Sequence, residues 1–151
     1  MKREDVVLFI REYLKERGFE RKGVRWYKRG EGFLCHLYLQ KSYYGDIYYI
    51  NYDFFLGECK TPYPRYLDDG EVAVGGRFAL TEGDSCRYNI HTMRVFAPLF
   101  DKNYVERIQP IFEVGTHYIL EHYVEYYFSP WATYDTVKQC LEKHAHTDSN
   151  E

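Results

Sequence analysis

The N-terminal residues alternate between apolar and charged positions at the spacing of a helix. The apolar residues recur three and four positions apart and are Val6, Phe9, Ile10, Tyr13 and Leu14. Charged residues fill the positions between them, and Gly18 ends the pattern, which is typical of a helix C-terminus. The pattern predicts an amphipathic helix over residues 3–17, whose apolar face packs against another element.

Between residues 24 and 80 the apolar positions recur at a period of two, which is the period of a strand. Turn-forming residues such as Gly30 and Gly45 separate the alternating segments. The segments are residues 24–28, 33–39, 48–54 and 72–80. Because short turns join antiparallel neighbours, the pattern predicts an antiparallel four-stranded meander with one face against the N-terminal helix.

Helical spacing returns in the last third of the chain. An apolar stripe covers residues 103–128, and Pro110 inside it predicts either a helix start or a kink. Ser129–Pro130 is typical of the start of a last helix, which would run to about His144. We therefore predict one α+β domain over residues 1–151, with an N-terminal helix, the four-stranded meander, two C-terminal helices and a disordered tail at 146–151.

The hairpin turns predict which residues face each other across the sheet. A two-residue turn at Tyr44–Gly45 pairs Leu39 with Ile50, Leu37 with Tyr52, and Cys35 with Phe54. A turn at Gly30–Glu31 pairs Trp26 with Cys35 and Val24 with Leu37. Since both turns bring apolar residues together on the same face, we predict that this face belongs to the core.

The opposite face of the predicted sheet mixes tyrosines with polar side chains. Its residues are Arg25, Tyr27, Leu34, His36, Tyr38, Gln40, Tyr49, Asn51 and Asp53. The predicted pairing puts Arg25, His36 and Asp53 into one cross-strand row. This face is either covered by the C-terminal helices, exposed with ordinary cross-strand pairs, or a concave binding surface with tyrosine anchors. A fourth interpretation is a catalytic His36–Asp53 pair, which is part of a triad without a placed nucleophile.

Composition and charge add two features to this picture. The chain of 151 residues has the length of one ordinary domain. Tyrosine accounts for 17 of these residues, which is an unusually large share. Residues 1–29 carry ten Lys/Arg and five Asp/Glu, a charge of +5, so the net charge of −3 leaves −8 on the rest. The basic segment predicts either a patch for an acidic partner or a solvated face that neutralises an acidic body.

The apolar runs and the cysteines predict a cytoplasmic protein with no membrane partner. No apolar stretch approaches the roughly 20 residues of a membrane span. The run Val6–Ile10 is shorter than the signal-peptide core of about 7–15 residues. The cysteines have no metal-like spacing, which suits reduced thiols, and are Cys35, Cys59, Cys86 and Cys140.

Other motifs give no support for catalytic chemistry. Residues 70–77 lack the Lys-Ser/Thr ending of a phosphate loop. Glu113, His117 and Glu121 have helical spacing that could hold a metal ion, but a solvated stripe explains them better. The negative net charge and the missing RNA-binding aromatic motif argue against nucleic acid. We predict no catalytic residue, no metal site and no cofactor.

Four short segments resemble the bacterial "domain of unknown function 4304" family. They are Gly18–Gly23, Trp26–Tyr27, Leu39–Ser42 and Ile50–Asn51. With the N-terminal helix that ends at the first segment, the resemblance covers roughly residues 5–56. The chain departs from the family pattern at Tyr52–Asp53, directly after Asn51. The resemblance implies a small cytosolic α+β domain with no established activity. It also implies three shared polar positions, which are Gln40, Ser42 and Asn51.

These observations favour a non-enzymatic module that binds a partner protein through the tyrosine-rich face, for example an immunity-like partner of a toxin. The predicted binding residues are Arg25, His36, Tyr38, Gln40, Tyr49, Asn51 and Asp53. An alternative is a small-molecule-binding protein or hydrolase with its site at Arg25, His36 and Asp53. A third interpretation is a structural domain that associates with itself.

Overall fold

An antiparallel sheet with helices on one face forms the framework of the protein, as seen in a computed structural model. The structure describes residues 2–43, 45, 47–79, 88–89, 96–128 and 133–149. The helices are α1 (Arg3–Glu16), α2 (Phe96–Asn103), α3 (Gln109–Val114), α4 (His117–Glu121) and α5 (Tyr134–Ser149). A π-helical turn, Tyr104–Ile108, joins α2 to α3.

The described part of the sheet contains seven strands. They are β1 (Glu20–Lys22), β2 (Arg25–Gly30), β3 (Phe33–Lys41), β4 (Ile47–Cys59), β5 (Gly70–Arg77), β6 (Tyr88–Asn89) and β7 (Tyr127–Phe128). Their order is β1-β2-β3-β4-β5-β7, and β6 pairs with the first residues of β4. The predicted α+β class is confirmed, and β2 to β5 are the predicted meander. The three additional strands have two or three residues each, too few for alternation to reveal them.

The helical part differs in its bounds from the predicted helix over residues 103–128. Helix α2 begins earlier, at Phe96, and α3 ends at Val114 because Gly115 adopts a φ of 100°. Pro110 lies in the first turn of α3, directly after the π-helical turn, so a helix start lies near it, one of the two predicted outcomes. The predicted cap at Ser129–Pro130 lies outside the described residues. Helix α5 continues to Ser149, beyond the predicted end near His144.

The register of the central hairpin is confirmed, and that of the first hairpin is wrong by two residues. Leu39 faces Ile50 across β3 and β4, as predicted. Across β2 and β3, however, Trp26 faces Leu37 instead of Cys35. The turn is Glu31–Gly32, since Gly32 supplies the positive φ, 81°, that a tight turn needs. A shift of two residues preserves the side-chain alternation, so every residue stays on its predicted face.

The helices pack on one face of the sheet, which we call the first face. Helix α1 buries Val6, Ile10 and Leu14 against it. The buried sheet residues of this core include Trp26, Cys35, Leu37, Leu39, Ile50, Tyr52, Phe54 and Val74. Phe96, Phe100, Ile108, Ile111, Ile119 and Val137 belong to the same core and come from the C-terminal helical segments. The first face therefore packs into the hydrophobic core, as the alternation predicted.

Candidate functional site

The opposite face of the sheet, which we call the second face, is partly covered by the segment 60–69 between β4 and β5. Tyr27 donates a hydrogen bond of 3.1 Å from its hydroxyl to the Pro64 carbonyl, and the Tyr63 ring packs edge-on against the Tyr27 ring. A second apolar cluster lies beneath this segment and consists of Tyr27, Leu34, Phe55 and Ala73, with Cys59, Tyr63 and Leu67 packed on it. Among the described residues, none of the helices α1 to α5 contributes to this cluster, and Leu67 comes from a short 3₁₀-helix, Leu67–Asp69, within the segment. A loop, not the C-terminal helices, therefore covers this part of the face.

His36 lies at the centre of the second face with its side chain 0% exposed. Its ring is stacked between Tyr27 and Tyr38, with both ring centroids 4.8 Å away and interplanar angles of 11° and 14°. The Arg25 guanidinium lies over the Tyr38 ring, 4.8 Å from its centroid. These aromatic contacts hold the imidazole in one orientation.

A chain of hydrogen bonds runs through His36 from Arg25 to Asp53. Arg25 Nη1 lies 3.2 Å from His36 Nε2, and His36 Nδ1 lies 3.2 Å from Asp53 Oδ2. Because a guanidinium can only donate, Nε2 accepts, and the proton of a neutral imidazole lies on Nδ1 and is donated to Asp53. The predicted row exists, although Tyr27 is the direct neighbour of His36 and the Arg25 side chain reaches over from a diagonal position.

The environment favours a neutral imidazole. Burial lowers the pKa of His36 from its ordinary value of 6.5, despite the opposing hydrogen bond to Asp53, and the charges of Arg25 and Arg65 lower it further. A general base needs a nitrogen that faces the substrate, but both nitrogens of His36 have partners and the side chain is buried. His36 is therefore arranged to position Arg25 and Asp53.

A second polar network lies beside this chain. Asn51 donates to Gln40 Oε1 over 2.9 Å, and Arg77 Nε donates to Asn51 Oδ1 over 2.8 Å. A further Arg77 nitrogen, Nη2, lies 3.3 Å from Gln40 Oε1. The Arg77 guanidinium also lies 4.3 Å from the centre of the Tyr49 ring. Three of the predicted binding residues, Gln40, Tyr49 and Asn51, are thus joined through an arginine on β5.

An open cavity of about 730 Å³ separates the polar part of the second face from the end of the covering segment. Tyr38, Asn51, Asp53, Gly75, Gly76 and Arg77 line it from the sheet. Arg65, Tyr66, Leu67 and Asp68 line it from the segment. The volume falls within the range of about 300–1,000 Å³ that is usual for ligand sites. The cavity presents two guanidinium groups, two carboxylates and two tyrosine rings to an occupant.

Gly75 shapes the floor of this cavity. A Cβ atom at this position would lie 2.4 Å from the Tyr52 carbonyl oxygen and 2.5 Å from Asp53 Oδ1. Only glycine lets β5 approach Asp53 this closely, and the carboxylate occupies the space that a side chain would take. The pairing of Asp53 with Gly75 across β4 and β5 therefore determines where the carboxylate meets the cavity.

Sequence reasoning found the central strands of the site and missed its outer parts. Arg77 could have been found, because the predicted strand alternation places it on the second face, opposite Val74 and Phe78. Arg65 and the rest of the covering segment carried no periodic signal. Of the predicted binding residues, three line the cavity directly, and they are Tyr38, Asn51 and Asp53. Arg25, His36, Gln40 and Tyr49 hold these residues or Arg77 in place through the contacts described above.

The buried neutral histidine predicts that stability falls as the pH falls. The unfolded chain takes up a proton on His36 near pH 6.5, but the folded chain has the lower pKa and resists protonation. Stability is therefore lost as the pH drops through about 6.5 toward the folded-state pKa. Urea unfolding at pH 7.5, 6.5 and 5.5 measures the free energy of unfolding at each pH. The loss of this free energy with falling pH should be smaller in a His36→Gln variant. Parallel pH profiles for the two proteins would contradict the prediction.

These features define a small α+β domain with helices on one face of an antiparallel sheet and a polar cavity on the other. The chain belongs to the family described as domain of unknown function (DUF4304), whose model matches residues 10–113. The match includes the strands β1 to β5 and all residues that line the cavity. It confirms the family that the resemblance over residues 5–56 indicated.

No curated protein and no solved structure matches the chain. Within the described residues, no helix combines the length and apolar character needed to cross a membrane.

Proposed function

We propose that this domain is a non-enzymatic binding module that recognises a polypeptide segment of a partner protein at the cavity on the second face. The observation that carries the proposal is the combination of tyrosine rings and arginines without ion pairs around one open cavity. Tyrosine and arginine are enriched among the residues that dominate protein–protein binding energy. Tyr38 lies on the floor of the cavity, and Tyr66, with 65% of its surface exposed, lies in the covering segment.

The charges around the cavity support a peptide as its occupant. Within the described residues, neither Arg65 nor Arg77 forms an ion pair with a carboxylate. Asp53 and Asp68 line the same space and accept hydrogen bonds. An occupant must therefore supply an anionic group for the guanidinium groups and N–H donors for the carboxylates. A polypeptide segment with an acidic side chain offers both.

The site is built for binding geometry more than for catalysis. His36 is fully buried and engaged by Arg25 and Asp53, which suits a fixed surface and leaves no free base. The described cysteines Cys35, Cys59 and Cys140 are free thiols, which supports action in a reducing compartment, the bacterial cytosol. These observations favour a cytoplasmic protein-binding domain over the hydrolase that the Arg25, His36 and Asp53 row could suggest.

Charge reversal in the cavity tests the proposal. Tagged wild-type protein, an Arg77→Glu variant and an Arg11→Glu control are used for native capture from lysate of the source cells at about 0.15 M salt. Arg11 is exposed on α1, far from the second face, so its reversal makes the same charge change elsewhere. We expect a stoichiometric protein with wild type and with Arg11→Glu, and about tenfold less of it or none with Arg77→Glu. Circular dichroism and thermal unfolding check that both variants are folded.

Equal capture of that protein by Arg77→Glu would place its binding surface elsewhere and refute the proposal. If the wild type retains no protein, the volume of the cavity favours the second candidate, a small polar molecule with an anionic group. A thermal-shift screen of small anionic and zwitterionic compounds then decides the question. A compound that stabilises wild type and Arg11→Glu, and leaves Arg77→Glu unchanged, identifies this class of ligand.

A further inference from the structure

Three side chains of types that bind metal ions form a cluster between α5 and β5, away from the cavity described above. Cys140 and His144 lie one turn apart on α5, and Glu71 lies on β5. Glu71 Oε2 is 3.4 Å from Cys140 Sγ and 3.1 Å from His144 Nε2. All three donor atoms lie within 4.8 Å of one another. Cys140 is buried, and the two others are half-buried.

The carboxylate of Glu71 is oriented by a fourth residue. Lys143 Nζ lies 3.4 Å from Oε1, the oxygen that points away from Cys140 and His144. The two oxygens therefore have different partners, and Oε2 faces the thiol and the imidazole. An outer contact that orients a carboxylate in this way is common around metal ions in proteins.

The backbone beside the cluster leaves room for it. Gly57 adopts a φ of 77°, and a Cβ atom there would lie 2.4 Å from Glu71 Oε2 and 2.9 Å from His144 Nε2. His144 also lines a cavity of about 440 Å³ together with Glu31 and His117. This cavity therefore reaches the cluster from the side of His144.

We propose that Glu71, Cys140 and His144 form a binding site for zinc or a similar divalent transition metal, with the fourth position open to water. Ligand atoms around tetrahedral zinc lie roughly 3.3–3.8 Å apart, given zinc–ligand distances of about 2.0–2.3 Å. The distances from Glu71 Oε2 to Cys140 Sγ and His144 Nε2 are close to this range. The third pair, Cys140 Sγ and His144 Nε2, lies within 4.8 Å, so a side-chain shift that brings the thiol and the imidazole together completes the geometry. On binding, the metal displaces the thiol proton that Cys140 donates to Glu71, and this proton is released to solvent. The resulting thiolate and the carboxylate neutralise the ion, which then fastens α5 to the sheet.

Cobalt and zinc binding to the full chain tests the site. Cobalt(II) bound to a thiolate gives a near-ultraviolet charge-transfer band. Added zinc displaces the cobalt, and the band is lost. We expect one equivalent to bind to wild type with this band, and no band in Cys140→Ser. His144→Ala should bind at least about 10-fold more weakly, since even the loss of an outer partner costs about 10–100-fold. Cys59→Ser and His122→Ala are the controls and should keep the band, because neither residue is in the cluster.

A second measurement covers the case that Cys140→Ser does not fold. At the same zinc concentration, zinc should raise the thermal unfolding midpoint of wild type and of His122→Ala, and raise that of His144→Ala by clearly less. The proposal is overturned if wild type shows neither the cobalt band nor a zinc-dependent shift. It is equally overturned if His144→Ala and Cys140→Ser retain wild-type affinity, since the metal would then bind elsewhere.

Discussion

Replacing His36 by alanine is expected to lower the free energy of unfolding by about 2–4 kcal/mol, because it removes buried hydrogen bonds and leaves a space between two rings. Asp53, which is 8% exposed, would lose the imidazole N–H that pairs with its carboxylate, and Arg25 would lose the acceptor of its guanidinium. The stacked rings of Tyr27 and Tyr38 would face an empty space. A largely buried polar group that loses its hydrogen-bond partner is costly, and the large-to-small change also leaves an unfilled space between the two rings.

Urea unfolding at pH 7.5 measures this effect. His122→Ala is the matched control, because His122 also pairs with a carboxylate, that of Glu125 at 2.8 Å, but on the surface. Its removal should cost less than about 1 kcal/mol. Replacing both His36 and Asp53 by leucine should recover part of the stability lost in His36→Ala, since an apolar pair leaves no buried charge. If His36→Ala costs as little as His122→Ala, the buried row contributes nothing to stability.

Phe55→Ala is expected to lower the free energy of unfolding by about 3–5 kcal/mol and to loosen the segment that covers the second face. Phe55 is 0% exposed and lies under the segment 60–69, in the cluster with Tyr27, Leu34 and Leu67. Hydrogen bonds also hold the segment, from Tyr27 and Arg29 to the Pro64 and Pro62 carbonyls and from Tyr63 to Glu20. Losing the Phe55 ring leaves these polar contacts in place and removes apolar support beneath one wall of the cavity.

Phe54→Ala separates the local effect from the global one. Phe54 is the neighbouring residue, is also 0% exposed, and packs on the first face against Phe33 and Tyr126. Both variants should lose a similar amount of stability, since each deletes one buried ring. Under native conditions, backbone hydrogen exchange of residues 60–69 should accelerate more in Phe55→Ala than in Phe54→Ala. Equal exchange in the two variants would show that Phe55 does not support the segment.

The tyrosines of β3 and β4 are divided between the two faces of the sheet. Tyr48 and Tyr52 point into the first-face core, where their rings contribute buried apolar area. Tyr38 and Tyr49 point the other way and stack on Arg25 and Arg77. Within the part of the chain that the structure describes, neither guanidinium forms an ion pair, and that of Arg77 lines the cavity, where the proposed occupant would meet it.

Much of the central sheet could be read from the sequence because strand alternation is a local property. The period of two assigned each residue of β3 and β4 to its face, and the tight turn near Gly45 set their pairing. The pairing of β2 with β3 was missed because Gly30 and Gly32 both suit a turn, and only the assembled hairpin shows which one supplies the positive φ. The composition of the second face survived this error, since the register shifted by an even number of residues.

The sequence by itself determined the α+β class, the first-face core and the polar face that contains Arg25, His36 and Asp53. These depend on periodicity within short segments, which the order of side chains specifies directly. The tertiary structure alone decided that a loop covers the second face and leaves a cavity beside Arg77. It also brought Glu71 to Cys140 across a separation of 69 residues. Such contacts depend on how distant segments pack in three dimensions, and no local pattern encodes them.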